Sequence, residues 1–131
     1  MSTENFKQSG KGPASSGQTH RIYRCNISAD DASILIPAGC HWLGIQESAQ
    51  ALKYEIHTAA RVVDADGSSI IDSAATIAAA DIVPAREVTP GEYLNISHTD
   101  GTTNIGVVVL VMFGSGLPAG ASNLTITDPG A

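Results

Sequence analysis

The sequence predicts an all-β fold: an antiparallel β-sandwich of Greek-key or jelly-roll type, with about eight strands and an extended N-terminal arm. Apolar segments are short and recur at intervals of about 8–12 residues, which is typical of sandwiches and barrels. Turn residues separate them, and the chain supplies 13 glycines and six prolines. Hydrophobic residues make up 43% of the chain but aromatic residues only 5%, so small and branched side chains must build the core. The length of 131 residues fits one domain.

Residues 1–19 form the predicted arm, and residues 20–131 form the predicted sandwich domain. Polar and small residues dominate the arm, and Phe6 is its only aromatic residue. Such a segment buries too little surface to offset the entropy lost on ordering. We therefore expect the arm to become ordered only against another surface.

Alternation of apolar and polar residues predicts the first strand at residues 20–28, with Tyr23, Cys25 and Ile27 on one face. Further strands are predicted at residues 33–36, 40–46, 53–63, 69–72, 87–89, 92–98, 105–113 and 124–127. Residues 105–113 are continuously apolar, which is typical of a central strand covered on both faces.

The connections are predicted from turn residues and alanines. Residues 47–51 form a polar excursion, and residues 64–67 (DADG) form a hairpin turn. The alanines of residues 73–81 favour a helix while Thr76 and Ile77 favour an extended chain, so this stretch is predicted as a loop or short helix. Residues 88–93 (VTPGEY) match the tyrosine-corner pattern of Greek-key sandwiches, in which the Tyr hydroxyl bonds to upstream backbone.

The net charge of −6 is unevenly distributed. Residues 1–24 carry +3, from Lys7, Lys11, Arg21 and Arg24 against one acid, whereas residues 25–131 carry −9. An acidic body lacks the positive face that phosphate contacts require, so nucleic acid is not expected as a partner. The basic residues of the arm, together with Phe6, are the candidate contacts to an acidic or grooved protein neighbour.

Compartment is inferred from the cysteines and the N-terminus. Residues 1–19 contain no apolar stretch typical of a secretion signal, and no apolar run approaches the roughly 20 residues of a membrane span. We therefore expect synthesis in a reducing cytoplasm. Cys25 and Cys40 are predicted to be buried free thiols, with a disulfide as the less favoured alternative.

The residues that could carry chemistry do not form a recognised motif, so we expect a protein that is not an enzyme and holds no metal or cofactor. Asp64, Asp66 and Asp72 do not fit the spacing of an EF-hand loop, which leaves a loose calcium site or a solvated turn. The three histidines that could form a cupin-like metal site are far apart in sequence: His41, His57 and His98. No nucleophile elbow, phosphate loop or dinucleotide fingerprint is present.

Trp42 is the only tryptophan. It is interpreted either as a core anchor or as an interface anchor, because tryptophan is enriched where a partner buries it.

In its size, polar arm, Ala/Gly/Thr-rich strands and missing catalytic residues, the chain resembles the small decoration (cement) proteins of tailed-bacteriophage heads. The resemblance implies a structural virion protein on the capsid surface. Such a protein would bind across joints of the major capsid protein, stabilise the head and associate with itself, as a homotrimer. The alternative is a glycan-binding β-sandwich of a phage fibre or knob, with an exposed cluster around Trp42, Tyr54 or Tyr93.

Overall fold

The computed structural model describes residues 19–64 and 66–131, which form nine strands and one short 3-10 turn. The strands are β1 (Thr19–Ile27), β2 (Asp31–Leu35), β3 (Cys40–Ser48), β4 (Leu52–His57), β5 (Ile71–Ile77), β6 (Val83–Glu87), β7 (Tyr93–His98), β8 (Gly106–Gly114) and β9 (Ile126–Thr127), with the 3-10 turn at Ala121–Asn123. No helix within the described residues has the length and apolar character needed to span a membrane.

The strands form two antiparallel sheets packed as a sandwich. The four-stranded sheet has the order β1-β8-β3-β6, and the five-stranded sheet has the order β5-β4-β7-β2-β9. Among the described strands, β4 and β5 are the only hydrogen-bonded neighbours that follow each other in sequence. The order 1-8-3-6 facing 2-7-4-5 is that of an eight-stranded jelly roll, to which β9 adds a short edge beside β2. The predicted fold class is confirmed.

The core lies between the sheets and follows the two-residue period of the strands. In β1, for example, Tyr23, Cys25 and Ile27 are buried while the intervening residues are exposed. β8 contributes Val108, Leu110 and Met112 to the same core. Both thiols are free and buried, as predicted, and β8 separates their strands. Burial raises the pKa of Cys40 to about 11.

Residues 73–81 differ most from the prediction, because β5 (Ile71–Ile77) continues through residues 73–77, where a loop or short helix was predicted. β5 pairs with β4 through Leu52–Ile77 and Tyr54–Ala75. This pairing overrides the helix propensity of the alanines. The strand predicted at residues 87–89 lies earlier, at β6, and the strand predicted at residues 53–63 ends at His57. Residues 47–48 continue β3, so the polar excursion is shorter than predicted.

The chain crosses from β6 to β7 at the predicted tyrosine-corner segment. Within the described residues the backbone holds this crossover, since Gly91 N–H donates to the Ile36 carbonyl and Glu92 N–H to the Thr89 carbonyl. A tyrosine hydroxyl bond occurs elsewhere: Tyr23 donates to the Pro118 carbonyl at 2.6 Å. This bond ties β1 to the segment that leaves β8. The motif therefore located the crossover, but the tyrosine hydroxyl bond lies outside it, in β1.

Candidate interaction surface

The outward side of the four-stranded sheet carries a patterned surface, here called the β8 face. Strand register places its side chains in three rows across the sheet. They are His20, Phe113, Trp42 and Glu87 in the first row, Ile22, Val111 and Gly44 in the second, and Arg24, Val109 and Glu47 in the third.

The centre of the β8 face is apolar. Ile22 is 56% exposed, which is unusual for an isoleucine in a nine-residue strand. Phe113 is partly exposed and lies between His20 and Trp42, with its ring centroid 5.6 Å from that of His20. Exposed apolar surface of this kind is typical of protein–protein contact sites.

A shallow groove of about 390 Å³ adjoins the centre on the β6 side. Its walls include Gln46, Pro84, Val111 and Ile82, and Ile82 is 64% exposed. Gly44 precedes Ile45, one of the residues that line the groove, and a Cβ atom at position 44 would come within 2.8 Å of the Ala85 nitrogen. The close approach of the β6 backbone therefore requires glycine at this position.

Opposite charges flank the apolar centre. The β1 side carries the cation Arg24, whereas the β3 and β6 side carries the acids Glu47 and Glu87, all of them exposed. The exposed imidazole of His20 also lies on the β1 side. The face is therefore polarised across the strands.

The predicted partner-binding residues are placed unevenly. Phe6, Lys7 and Lys11 lie outside the described residues. Arg21 and Arg24 belong to β1 and so to the sandwich rather than to an arm, because strand pairing with β8 begins at Thr19. They also point to opposite sides of β1: Arg21 donates to the Ala119 carbonyl at 3.4 Å, whereas Arg24 lies on the β8 face.

Trp42 is partly buried within the β8 face and faces Phe113 and Glu87 across the neighbouring strands. This position fits the interface anchor better than the core anchor. Tyr54 is buried in the core, and Tyr93 belongs to the five-stranded sheet. Of the three aromatic residues named as centres of an exposed glycan-binding cluster, Tyr54 is therefore excluded by its burial, whereas Trp42 and Tyr93 are partly exposed.

The five-stranded sheet carries a buried polar cluster that the sequence did not predict. The covering loop, residues 58–64 and 66–70, folds back over the outer side of β4 and β7. Arg61 binds Glu55 through Nε at 2.8 Å and Nη2 at 2.9 Å, and the Glu55 side chain is fully buried. Asn95 Nδ2 and Ser69 Oγ donate to the same carboxylate at 2.9 and 2.8 Å.

The electrostatics of this cluster favour the charged carboxylate. Burial by itself raises the pKa of Glu55, but the hydrogen bonds from Arg61, Asn95, Ser69 and the Asp64 backbone outweigh it and lower the pKa to about 2. Arg61 neutralises this charge in turn, and its own pKa is raised mainly by the hydrogen bond to Glu55. The cluster fixes the covering loop and leaves the Glu55 carboxylate without a free proton-accepting position.

The alternation of apolar and polar residues along β4 was the one sequence signal for this cluster, because it placed Glu55 on the polar side of the strand. This alternation cannot show that a loop returns to cover Glu55.

The candidate metal-binding residues are dispersed. His41 lies in the four-stranded sheet, and register puts His57 and His98 at opposite ends of the β4–β7 pair. Asp64 and Asp66 surround Arg61, whereas Asp72 forms an ion pair with Arg86. Among residues 19–64 and 66–131, no group of three or more His, Cys, Asp or Glu side chains is placed to hold a metal ion.

The geometry therefore offers an apolar, charge-flanked face suited to association, beside ion pairs that are already satisfied within the fold. Comparison of the chain with known protein families, with curated proteins and with solved structures found no match.

Proposed function

We propose that this protein is a non-enzymatic structural component of a virion, a decoration protein that binds across joints between major capsid subunits and stabilises the head. The observation that carries the proposal is that the acids within the fold are paired while large apolar side chains on the protein surface are exposed. The buried Glu55 and the partly buried Asp72 are each paired with an arginine, while Ile22 and Ile82 are exposed. A surface that exposes large apolar side chains and pairs its buried charges favours protein association over chemistry.

Capsid binding is assigned to the N-terminal segment. Its cations Lys7 and Lys11 precede β1 in the sequence, and β1 is an edge strand of the four-stranded sheet. An acidic groove between capsid subunits would attract this segment, and clamping several subunits would add buried area across the joint.

Deletion of residues 1–18 tests this proposal, since the deletion stops just before β1. We expect the shortened protein to keep its far-UV circular dichroism spectrum and to lose co-sedimentation with shells of the cognate major capsid protein. A matched variant, Lys7→Gln with Lys11→Gln, should bind more weakly and with reduced sensitivity to salt. Undiminished binding by the folded, shortened protein would rule out the assignment.

The glycan-binding alternative is less well supported, because Tyr54 is buried and Trp42 and Tyr93, which are partly exposed, lie in different sheets. Binding of the full chain to a glycan array, lost on Trp42→Ala, would favour it over capsid binding.

A further inference from the structure

We propose that the β8 face pairs with the same face of a second copy of this chain, about a two-fold axis that runs parallel to the strands between β8 and β3. The proposal does not depend on capsid binding, and it assigns a dimer in place of the homotrimer that the resemblance to decoration proteins implies.

The sequence of β8 is the first argument. A central strand with one face open to water normally alternates apolar and polar residues. β8 does not: its outward residues are Val107, Val109, Val111 and Phe113, and its inward residues are apolar as well. On this outward side Val107 and Phe113 are partly exposed, whereas Val109 and Val111 are only 8% and 6% exposed. The apolar residues on both sides of β8 are typical of a strand that is covered on both faces.

Charge complementarity identifies a second copy of this chain as the molecule that packs against the β8 face. Rotation by 180° about an axis parallel to the strands places the β1 side of one copy opposite the β6 side of the other. Each of the three rows then lies opposite the same row of the second copy. Arg24 of one copy then lies over the side that carries Glu47 in the other, and His20 lies over Glu87. Each contact occurs twice, as an isologous interface requires.

Shape agrees with the same axis. Ile22 projects in the middle row on the β1 side, and the groove lined by Pro84 and Val111 lies near that height on the β6 side. The rotation therefore sets the projecting Ile22 of each copy over the groove of the other.

The other in-plane two-fold axis, perpendicular to the strands, is disfavoured. This axis would place the β1 side of one copy opposite the β1 side of the other, and the first row opposite the third. Arg24 of one copy would then face His20 of the other. It would also set acidic flank against acidic flank, and Ile22 against Ile22 in place of the groove.

The size of the face sets the expected affinity. Four strands about 4.8 Å apart and up to nine residues long give a surface of about 20 by 30 Å. This is at the low end for a specific protein interface, so we expect a dimer with a dissociation constant of about micromolar order.

Sedimentation equilibrium of the full chain from about 1 to 500 μM tests the pairing. We expect a monomer–dimer equilibrium for the unchanged protein, and at least tenfold weaker association for Ile22→Glu. The matched control is Ile70→Glu, which alters a similarly exposed isoleucine outside the β8 face and should associate like the unchanged protein.

A charge exchange tests the axis itself. Arg24→Glu should weaken the dimer because it places a carboxylate, in place of the guanidinium, about one strand spacing (~4.8 Å) from the position of Glu47 in the other copy. Arg24→Glu combined with Glu47→Arg should restore the dimer. This pair of variants decides the question even if Ile22→Glu fails to fold. A protein that remains monomeric at 500 μM, a trimer, or full dimerisation of folded Ile22→Glu would each overturn the proposal.

Discussion

Glu55 and Arg61 illustrate, at the scale of single residues, how a charge on the outside of a sheet can become buried. The carboxylate lies on the outward side of β4, and the covering loop brings the guanidinium of Arg61 and the hydroxyl of Ser69 onto it. Asn95 on the neighbouring strand fills the remaining side and also donates to the Ala59 carbonyl at 3.0 Å. These bonds hold both the strand pair and the loop, so loss of the carboxylate charge should affect both.

Glu55→Gln is expected to lower the free energy of unfolding by about 3 kcal/mol at pH 7, because it leaves Arg61 without its charged partner in a buried site. The matched control is Asp66→Asn, whose carboxylate lies 3.9 Å from the same guanidinium and is half exposed. Its effect should stay within about 0.5 kcal/mol. Urea titrations followed by circular dichroism measure both values, and equal effects of the two substitutions would contradict the role given to Glu55.

The same pair predicts how stability depends on pH. The pKa of Glu55 lies near 2 in the folded protein and near its ordinary value of 4.5 in the unfolded chain. The stabilisation is therefore complete above about pH 4.5 and is lost as the pH falls from 4.5 towards 2. Other carboxylates titrate in this range too, so the quantity to compare is the difference between the unchanged protein and Glu55→Gln, which should shrink in acid.

At the scale of secondary-structure elements, β5 and the turn after it show where local sequence misleads. Three alanines, residues 78–80, follow the strand, and alanine-rich sequence favours a helix. The chain instead makes a tight turn, closed by the Asp81 N–H donating to the Ala78 carbonyl, in which Ala80 adopts a φ of +69°. Strand pairing with β4 fixes where this turn must lie, and that information is absent from the local sequence.

Ala80→Gly is expected to raise the free energy of unfolding by about 1 kcal/mol, because the third position of this turn needs a positive φ that glycine adopts without strain. Ala79→Gly is the matched control: it alters an equally exposed neighbour without a positive φ and should lower stability by about 0.5–1 kcal/mol. Thermal unfolding of the two variants checks the signs. Destabilisation by both substitutions would show that the conformation of Ala80 is not strained.

At the scale of the whole molecule, strand count, strand spacing and fold class followed from the sequence, because alternation and turn residues are local signals. The separation of positive and negative side chains across the β8 face could not be predicted from the sequence, since it depends on which strands become neighbours. Arg24 and Glu47 are far apart in sequence and come to flank Val109 only through the jelly-roll order. Under the two proposals made above, a dimer would present two N-terminal segments, and their capsid contacts would reinforce each other.

The jelly-roll order also predicts how the molecule unfolds. Apart from β4–β5, every hydrogen-bonded strand pair in the described residues joins strands that are not consecutive, so neither sheet can be completed without the other. We therefore expect a single cooperative transition, with folding in the slow range of milliseconds to seconds typical of such non-local topologies. Fluorescence of Trp42 reports on the four-stranded sheet, and hydrogen exchange of β7 amides reports on the five-stranded sheet. The two probes should give the same free energy of unfolding in a variant that stays monomeric, and a lower value for either sheet would mean that it opens independently.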